Sequence, residues 1–210
     1  MSDDHVYEPQ NGHGLPHDPF NAIVAPRPIG WISSRDQVGR LNLAPYSFFN
    51  AFNYRPPIIG FCSIGRKDSL RNAEETGEFC WNLATEALID QVNLTSAPAP
   101  ADVDEFQLAG LPPAPSRLIK APFVKESPAS FECRTTQVVQ LRRADGEAVE
   151  TWMVFGEVVV VRIDRTLLKD GIYDTASGRP LLRGGGPADF FGISHDGLRQ
   201  KFRPNWPLGS

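Results

Sequence analysis

Cysteine is scarce in this chain, and the three residues present exclude several kinds of site. Cys62, Cys80 and Cys133 are far apart, so there is no CxxC pair, no zinc-ligand spacing and no even number for a disulfide framework. Each stands in an apolar or alternating run, which is typical of a small side chain in a hydrophobic core. We therefore predict three buried thiols, no metal site and no catalytic cysteine.

Positive charge and long apolar runs are also lacking. The formal net charge is −4 over 210 residues, whereas a nucleic-acid surface needs clustered lysine and arginine, so no nucleic-acid partner is expected. No run reaches the roughly 18 apolar residues of a membrane span. The polar first segment, broken by Pro and Gly, is unlike a secretory signal. The sequence thus predicts a cytoplasmic protein that does not enter a membrane.

The chain does contain the composition and strand pattern of a globular β protein. Hydrophobic residues make up 41% and charged residues 22%, which suits one well-packed domain. A turn dipeptide, Asp145-Gly146, separates two long alternating runs and predicts an antiparallel hairpin. The predicted strands are Pro28–Ser34, Pro57–Ile64, Glu78–Leu83, Ser130–Arg142 and Val149–Ile163.

Two short helices are predicted between these strands. Ser69–Thr76 has Ser69 as its candidate N-cap and Gly77 as its stop. Glu86–Leu94 carries apolar residues at a helical spacing. Ser96–Pro115 is rich in Pro and Ala, and we interpret it as an irregular excursion that includes a one-turn helix.

These elements predict a mainly β fold, a small antiparallel barrel with short peripheral helices. No GxGxxG stands between a strand and a helix, so a Rossmann domain is not expected, and NAD(P)H would bind only transiently at another surface. We predict an N-terminal arm over residues 1–19 and one domain over 20–170. The tail of that domain, residues 171–210, is expected to wrap over the barrel or a partner subunit.

The segment GRKDSLRN at Gly65–Asn72 has the chemistry of a phosphate site. Arg66 and Lys67 precede the predicted helix, and free amide groups at a helix start, a serine hydroxyl and cationic side chains all suit a phosphate monoester. Cations are unusual in a first helical turn, and a bound anion would explain Arg66, Lys67 and Arg71 there. The alternative is a solvated turn with its cap.

Two further segments, RPIGWISS at Arg27–Ser34 and NLAPYSFFNAF at Asn42–Phe52, mix aromatic and small polar residues. Such a mixture could form an apolar wall for a flat ring together with polar groups for its edge. The ring candidates are Trp31, Tyr46, Phe48 and Phe49, and the polar candidates are Asn42, Ser47 and Asn50. Each aromatic residue could equally belong to the hydrophobic core.

The order RPIGW, NLAPYSFF, GRKDS, then EFxxN at Glu78–Asn82 and Arg-Gly-Gly at Arg183–Gly185, resembles the flavin reductase-like family. The resemblance extends from Phe20 to about Phe191. It implies a split β-barrel of Greek-key type that forms a homodimer and holds FMN near the subunit interface.

Position by position, the resemblance implies which residues would contact FMN. Residues of the first two segments would line the isoalloxazine and ribityl groups, and those of the third would hold the 5′-phosphate. The implied cofactor-binding residues are Arg27, Ile29, Gly30, Trp31, Asn42, Ala44, Pro45, Tyr46, Ser47, Phe48, Arg66, Lys67, Asp68, Ser69 and Asn72.

The late segment RGGGPADFF departs from the pattern of the family, in which a Tyr often follows the glycine pair. The substrate side is thus the part that the resemblance defines least, and its candidates are His13, His17 and Arg183. The sequence shows no partner for His195. Asp102, Asp104 and Glu105 are interpreted as solvated loop charges.

No triad, metal cluster or carboxylate pair is visible, and no catalytic residue is assigned. A bound flavin needs none, because the cofactor carries the chemistry. The resemblance implies an NAD(P)H-dependent FMN oxidoreductase that could supply reduced flavin to a partner monooxygenase. The alternatives are an FMN-dependent oxidase or oxygenase acting on a small organic substrate, and a non-catalytic FMN electron carrier.

Overall fold

The computed structural model describes residues 3–204. Met1 and Ser2 of the predicted arm, and the end of the predicted tail from residue 205, including Trp206, lie outside the described residues. The α-helices are α1 Phe20–Ile23, α2 Asp68–Thr76, α3 Ile89–Leu94 and α4 Glu105–Leu108. Single 3-10 turns occur at Pro9–Asn11, Glu86–Leu88, Arg165–Leu167 and His195–Gly197. The strands are β1 Arg27–Pro28, β2 Gly30–Arg35, β3 Leu41–Tyr46, β4 Phe49–Tyr54, β5 Pro57–Ile64, β6 Glu78–Asn82, β7 Pro113–Ala114, β8 Phe123–Val124, β9 Ala129–Arg142, β10 Ala148–Ile163, β11 Leu168–Lys169, β12 Ile172–Tyr173, β13 Leu181–Arg183 and β14 Phe190–Gly192.

Seven strands form one sheet in the order β3-β2-β6-β9-β10-β5-β4, and every neighbouring pair is antiparallel. β3 and β4 lie at opposite edges of this sheet, yet only Ser47 and Phe48 separate them in the chain. Three peptide steps span at most about 11 Å, so the sheet must roll until its two edges meet at this corner. The result is a split β-barrel with short peripheral helices, which confirms the predicted fold class.

The predicted elements are largely observed. The long hairpin is present as β9 and β10, β5 has the predicted bounds, and α2 ends at Gly77, whose φ of 71° is left-handed. The excursion contains the predicted single helical turn, α4. Among the predicted strands one was wrong, because Pro28–Ser34 is not a single strand. It divides at Ile29 because β1 pairs with β13 whereas β2 pairs with β3 and β6.

Both faces of β2 are buried, and its alternation assigns side chains to two different clusters. Ile32 faces the barrel interior, where it joins Phe61, Phe79 and other large side chains. Trp31 points to the opposite face, into the layer covered by α3, α4 and the excursion. Trp31 is therefore a core residue with 0% exposure.

The predicted burial of the three cysteines is confirmed. Cys80 and Cys133 are fully enclosed, and Cys62 is 7% exposed. Burial raises the pKa of all three thiols. None of them thus has the lowered pKa that activates a cysteine nucleophile.

The EFxxN segment has a structural role. The Glu78 carboxylate accepts hydrogen bonds from the Lys120 and Ala121 amides at 2.6 and 2.9 Å. The Asn82 side-chain oxygen accepts one from the Val124 amide at 2.7 Å. Both side chains therefore fix residues 120–124, which follow the excursion, against β6.

The described part of the tail packs on the domain. β13 lies between β1 and β14 in a three-stranded sheet, and the Leu181 amide donates to the Ala84 carbonyl at 2.9 Å. His195 has a partner that the sequence did not reveal, because its Nε2 lies 2.9 Å from a carboxylate oxygen of Asp174. Between residues 3 and 204, no helix has both the length and the apolar character to cross a membrane.

Candidate functional site

A cavity of about 450 Å³ lies beside the corner that closes the barrel. Three segments line it: the end of β3 with the corner, the end of β5 with the start of α2, and part of the excursion. The lining residues are Asn42, Ala44, Pro45, Tyr46, Ser47, Phe48, Cys62, Ile64, Arg66, Lys67, Asp68, Ser69, Thr95, Ser96, Ala97, Pro98, Ala99 and Glu105.

The corner side of the cavity is largely apolar and is held rigidly. The Phe48 carbonyl accepts a hydrogen bond from the Cys62 amide at 2.8 Å, which fixes the corner to β5. The Tyr46 ring packs on Phe61 with centroids 4.7 Å apart. Burial raises the pKa of Tyr46 to about 12, so its phenol remains a neutral donor.

The Tyr46 hydroxyl is an orphaned buried polar atom. It lies near the hydroxyls of Ser63 and Ser69, yet no described residue gives it a hydrogen bond of normal geometry. A buried group without a partner is costly. Because Tyr46 lines the cavity, a polar ligand atom there would satisfy this donor.

The start of α2 forms the polar side of the cavity, with one correction to the predicted cap. Lys67 occupies the N-cap position, and Ser69 is the second residue of the helix. The Ser69 hydroxyl is buried and accepts a hydrogen bond from the Asn42 side-chain amide at 2.8 Å. It therefore connects β3 to α2 rather than capping the helix.

The cations near this helix start have different partners from those predicted. Arg66 forms an ion pair with Glu74, and Arg71 forms one with Asp68. These two arginines need no bound anion to explain them. Lys67 has no carboxylate partner among residues 3–204, so it is the cation left available to a ligand.

Asn72 does not line the cavity but lies behind the residues of its polar side. Its side-chain amide donates to the Ser34 hydroxyl at 3.0 Å, and the same hydroxyl accepts from Asn42 at 3.3 Å. Its side-chain oxygen is buried without a partner in the described part of the chain. Asn72 is thus placed to orient the residues that line the cavity.

The third side of the cavity is formed by residues 95–99, which were not predicted to be part of the site. Small residues at 95–99 line the cavity, and the Thr95 hydroxyl accepts a hydrogen bond from the Trp31 indole at 3.0 Å. No side chain in this stretch carries a recognisable motif. The available signal was its length, because a long irregular segment in a compact domain is often functional.

Glu105 is a correction to the interpretation of solvated loop charges. It is 7% exposed, lines the cavity and accepts a hydrogen bond from the Leu43 amide at 3.1 Å. Burial raises the pKa of its carboxyl, opposed by the Leu43 hydrogen bond and reinforced by the charges of Asp68 and Asp104. Asp104 itself is the N-cap of α4.

Ten of the fifteen predicted cofactor-binding residues line this cavity, and five do not. Asn72, as described above, lies behind the cavity. Trp31 is in the core. Gly30 is covered by the Phe49 ring, which lies 2.7 Å from the position that a Cβ on Gly30 would take. Arg27 is buried with its guanidinium 5.7 Å from the Phe48 ring centre. Ile29 belongs to a neighbouring cavity.

That second cavity has a volume of about 180 Å³ and shares Pro45, Ser47 and Ser96 with the first. It contains Arg183, one of the three predicted substrate-side residues. His13 and His17 line neither of these two cavities; the imidazole of His5 lies 2.8 Å from the His13 carbonyl within the arm.

The first cavity therefore has two chemically different ends. A lysine, a serine hydroxyl and the free amides of a helix start are suited to an anionic group. The corner offers backbone groups, Ala44, Pro45 and aromatic rings to a flat apolar body. Such a site fits an elongated ligand with an anion at one end and a ring system at the other.

Comparison with known proteins defines the class to which this fold and site belong. Residues 24–182 match the model of the flavin reductase like domain, so the chain belongs to that family. A relative from Aquifex aeolicus, an uncharacterized protein, is 35% identical over 170 residues, which are 78% of this chain and 83% of that protein.

Solved structures of similar proteins agree with the fold. Nitrilotriacetate monooxygenase component B from Bacillus cereus has a TM-score of 0.79 at 28% identity, covering 97% of this chain and 96% of that one. The structure of 2-nitrobenzoate 2-nitroreductase from Pseudomonas fluorescens has a TM-score of 0.75 at 25% sequence identity, with 91% of both chains covered. A protein from Shewanella frigidimarina, described as a flavin reductase with a split barrel domain, has a TM-score of 0.76 at 24% sequence identity, with 89% of both chains covered.

The buried carboxyl of Glu105 generates a prediction about pH. A pKa raised on folding means that the folded state binds the proton more tightly, so stability is lost as pH rises from the ordinary value of 4.5 through the raised pKa. Glu105→Gln removes this loss. We expect its unfolding free energy relative to wild type to increase between pH 4 and pH 8, by a difference on the order of 1 kcal/mol or less.

The measurement is urea denaturation of flavin-free protein at several pH values. Glu147→Gln, an exposed change at the hairpin turn, serves as the matched control and should show no such trend. Greater destabilisation of Glu105→Gln at pH 8 than at pH 4 would mean that the ionised carboxylate stabilises the fold, contrary to this account.

Proposed function

We propose that this protein is an FMN-binding oxidoreductase of the NAD(P)H-dependent flavin reductase type. The observation that supports this most strongly is the cavity of about 450 Å³ that joins the start of α2 to the barrel corner. Its size lies within the usual range of roughly 300–1,000 Å³ for small-molecule sites. Its two ends match the phosphate and the ring system of a flavin mononucleotide.

The residues at the polar end fit a phosphate monoester. Lys67 supplies a positive charge that no described carboxylate pairs with, the Ser69 hydroxyl supplies a further polar group, and the first amides of α2 supply donors. The orphaned Tyr46 hydroxyl adds a neutral donor close to Ser69. We propose that these groups hold the 5′-phosphate, with Asn72 orienting them through the Ser34 hydroxyl.

The residues at the other end fit a flat ring. Ala44, Pro45 and Phe48 give an apolar surface, and the backbone at Ser47 gives polar groups for a ring edge. When bound, the flavin would supply two-electron chemistry that the protein side chains lack. The chain contributes binding, orientation and exclusion of water, and no residue is assigned as a proton donor or acceptor.

The assembly proposed is a homodimer in the cytoplasm, with a partner monooxygenase as a further component. The edge strand β4 supports the dimer, because Phe52 and Tyr54 are 51% and 80% exposed on it. An exposed apolar edge strand normally pairs or is covered. The similarity to a protein named as a monooxygenase component B supports the proposed monooxygenase partner.

The second cavity favours one alternative specifically. It adjoins the proposed ring site through Pro45 and Ser47 and holds Arg183, so an organic substrate could lie next to the flavin. This supports a flavoenzyme that acts on a small molecule. A non-catalytic electron carrier would have no use for such a cavity.

Kinetics with free flavin test the reaction class. We expect the purified protein to oxidise NADH or NADPH steadily when FMN is added, with reduced flavin released to oxygen. Turnover of an organic substrate without steady flavin reduction would favour the alternative enzyme. Reduction by a protein donor alone, with neither NAD(P)H oxidation nor turnover of an organic substrate, would contradict both enzymatic functions and favour the carrier.

The phosphate site makes a sharper prediction. In the double variant Lys67→Ala/Ser69→Ala, we expect the dissociation constant for FMN to increase at least tenfold, because a charge-assisted hydrogen bond contributes about 1.5–3 kcal/mol. Calorimetric titration of FMN into flavin-free protein measures this directly.

Lys125→Ala provides the matched control. Lys125 is exposed and lies outside the cavity, so its removal changes the net charge equally and should leave FMN affinity unchanged. If the double variant still purifies with stoichiometric flavin, the phosphate is not held at the start of α2.

A further inference from the structure

Two arginines stand directly opposite each other beside the second cavity. Arg27 on β1 and Arg183 on β13 are register partners in the antiparallel pair. Like charges that face each other across two strands are destabilising. Among residues 3–204, neither arginine has a carboxylate within ion-pair distance. The pair thus has an unfavourable interaction that no carboxylate in the described part of the chain neutralises.

The hydrogen bonds of both guanidinium groups are made to backbone carbonyls. Arg27 donates to the Asn21 carbonyl and, at 3.0 Å, to the Gly184 carbonyl. Arg183 donates to the Asp189 and Pro187 carbonyls at 2.7 and 2.9 Å. Such bonds position the guanidinium groups and leave their charges uncompensated.

Donors also remain unused. A guanidinium has five N–H groups, so Arg183 retains donors beyond the two carbonyl contacts. Arg27 is 8% exposed, and its Nε is buried without a partner. Burial and the charge of Arg183 both lower the pKa of Arg27. An anion held by Arg183 would compensate both charges.

The second cavity determines the size of the anion. Its volume of about 180 Å³ is small, although an apolar cavity of about 150 Å³ is known to admit benzene. Ile29, Pro45 and Phe190 supply apolar walls, while Asn93 and Ser96 supply polar groups. A single ring fits this space, whereas a dinucleotide is several times larger.

The Phe190 ring and the charge of Arg183 lie at a fixed distance from each other. The Arg183 guanidinium lies 5.1 Å from the centre of the Phe190 ring, and Phe190 is the register partner of Arg183 on β14. A ligand ring against Phe190 would thus place a carboxylate substituent at Arg183. The opposite edge of that ring would meet Pro45 and Ser47, which the two cavities share.

We propose that the second cavity is a binding subsite for a small single-ring carboxylate, with Arg183 as its anion-binding residue and Arg27 as the charge behind it. The ligand lies beside the proposed flavin site and is in position to react there. The inference rests on the proposed function for that adjacency, but the binding of the carboxylate itself does not require flavin.

Calorimetric titration of benzoate and of benzamide tests this, in both the flavin-free and the FMN-loaded protein. Benzamide has the same ring and no charge. We expect benzoate to bind with a dissociation constant at least tenfold lower than benzamide, and to perturb the flavin absorption spectrum in the loaded protein. If FMN does not bind but benzoate does, the proposed function fails and the subsite stands.

Variants at the two ends of the ligand separate charge from packing. Arg183→Gln should weaken benzoate binding about tenfold and leave benzamide and FMN binding unchanged, while Arg183→Lys should retain part of the benzoate affinity. Phe190→Ala should weaken benzoate and benzamide alike. Arg143→Gln, an exposed change in the hairpin turn that alters net charge equally, should change none of these constants.

Three results would overturn the subsite. Equal binding of benzoate and benzamide would show that no charge is recognised. Unchanged benzoate affinity in Arg183→Gln, when circular dichroism shows that this variant is folded, would assign the charge to another residue. Saturation by NADH alone, weakened by Arg183→Gln and without any benzoate binding, would identify a dinucleotide site instead.

Discussion

The two-residue corner Ser47–Phe48 is the constraint on which both the barrel and its cavity depend. It joins strands at opposite edges of a seven-stranded sheet, so the sheet must close around its apolar side chains. The backbone bond from the Cys62 amide to the Phe48 carbonyl fixes the corner against β5. That position brings the end of β3 next to the start of α2, and the cavity is the space between them.

Strands and turns were largely predictable because their signals are local. Alternation around Asp145-Gly146 specified the long hairpin, and Gly77 specified the end of α2. Residue roles were less predictable when they depended on which face of an element is covered. Trp31 is in the core because the excursion covers the outer face of β2, and nothing in RPIGWISS encodes that cover.

The candidate site shows the same division. Two of the three predicted segments share one cavity, because ten of their predicted residues, all within 42–48 and 66–69, line it, whereas no residue of RPIGWISS does. Glu105 could not be identified in advance, because its burial arises from the packing of α4 on β3 and its hydrogen bond to the Leu43 amide. Ser69 was predicted to cap the helix, but its hydroxyl instead accepts a hydrogen bond from the Asn42 side-chain amide. Because Arg66 and Arg71 are ion-paired, Lys67 is the cation at this helix start that has no carboxylate partner within residues 3–204.

The central claim is that the start of α2 recognises a phosphate while the corner accepts a flavin ring. Titration of FMN and of riboflavin into the same flavin-free protein tests it most directly, because the two ligands differ only in the phosphate. The account predicts that FMN binds at least about thirtyfold more tightly than riboflavin, corresponding to roughly 2 kcal/mol for charge-assisted contacts. Equal affinities, or no binding of either ligand, would contradict it.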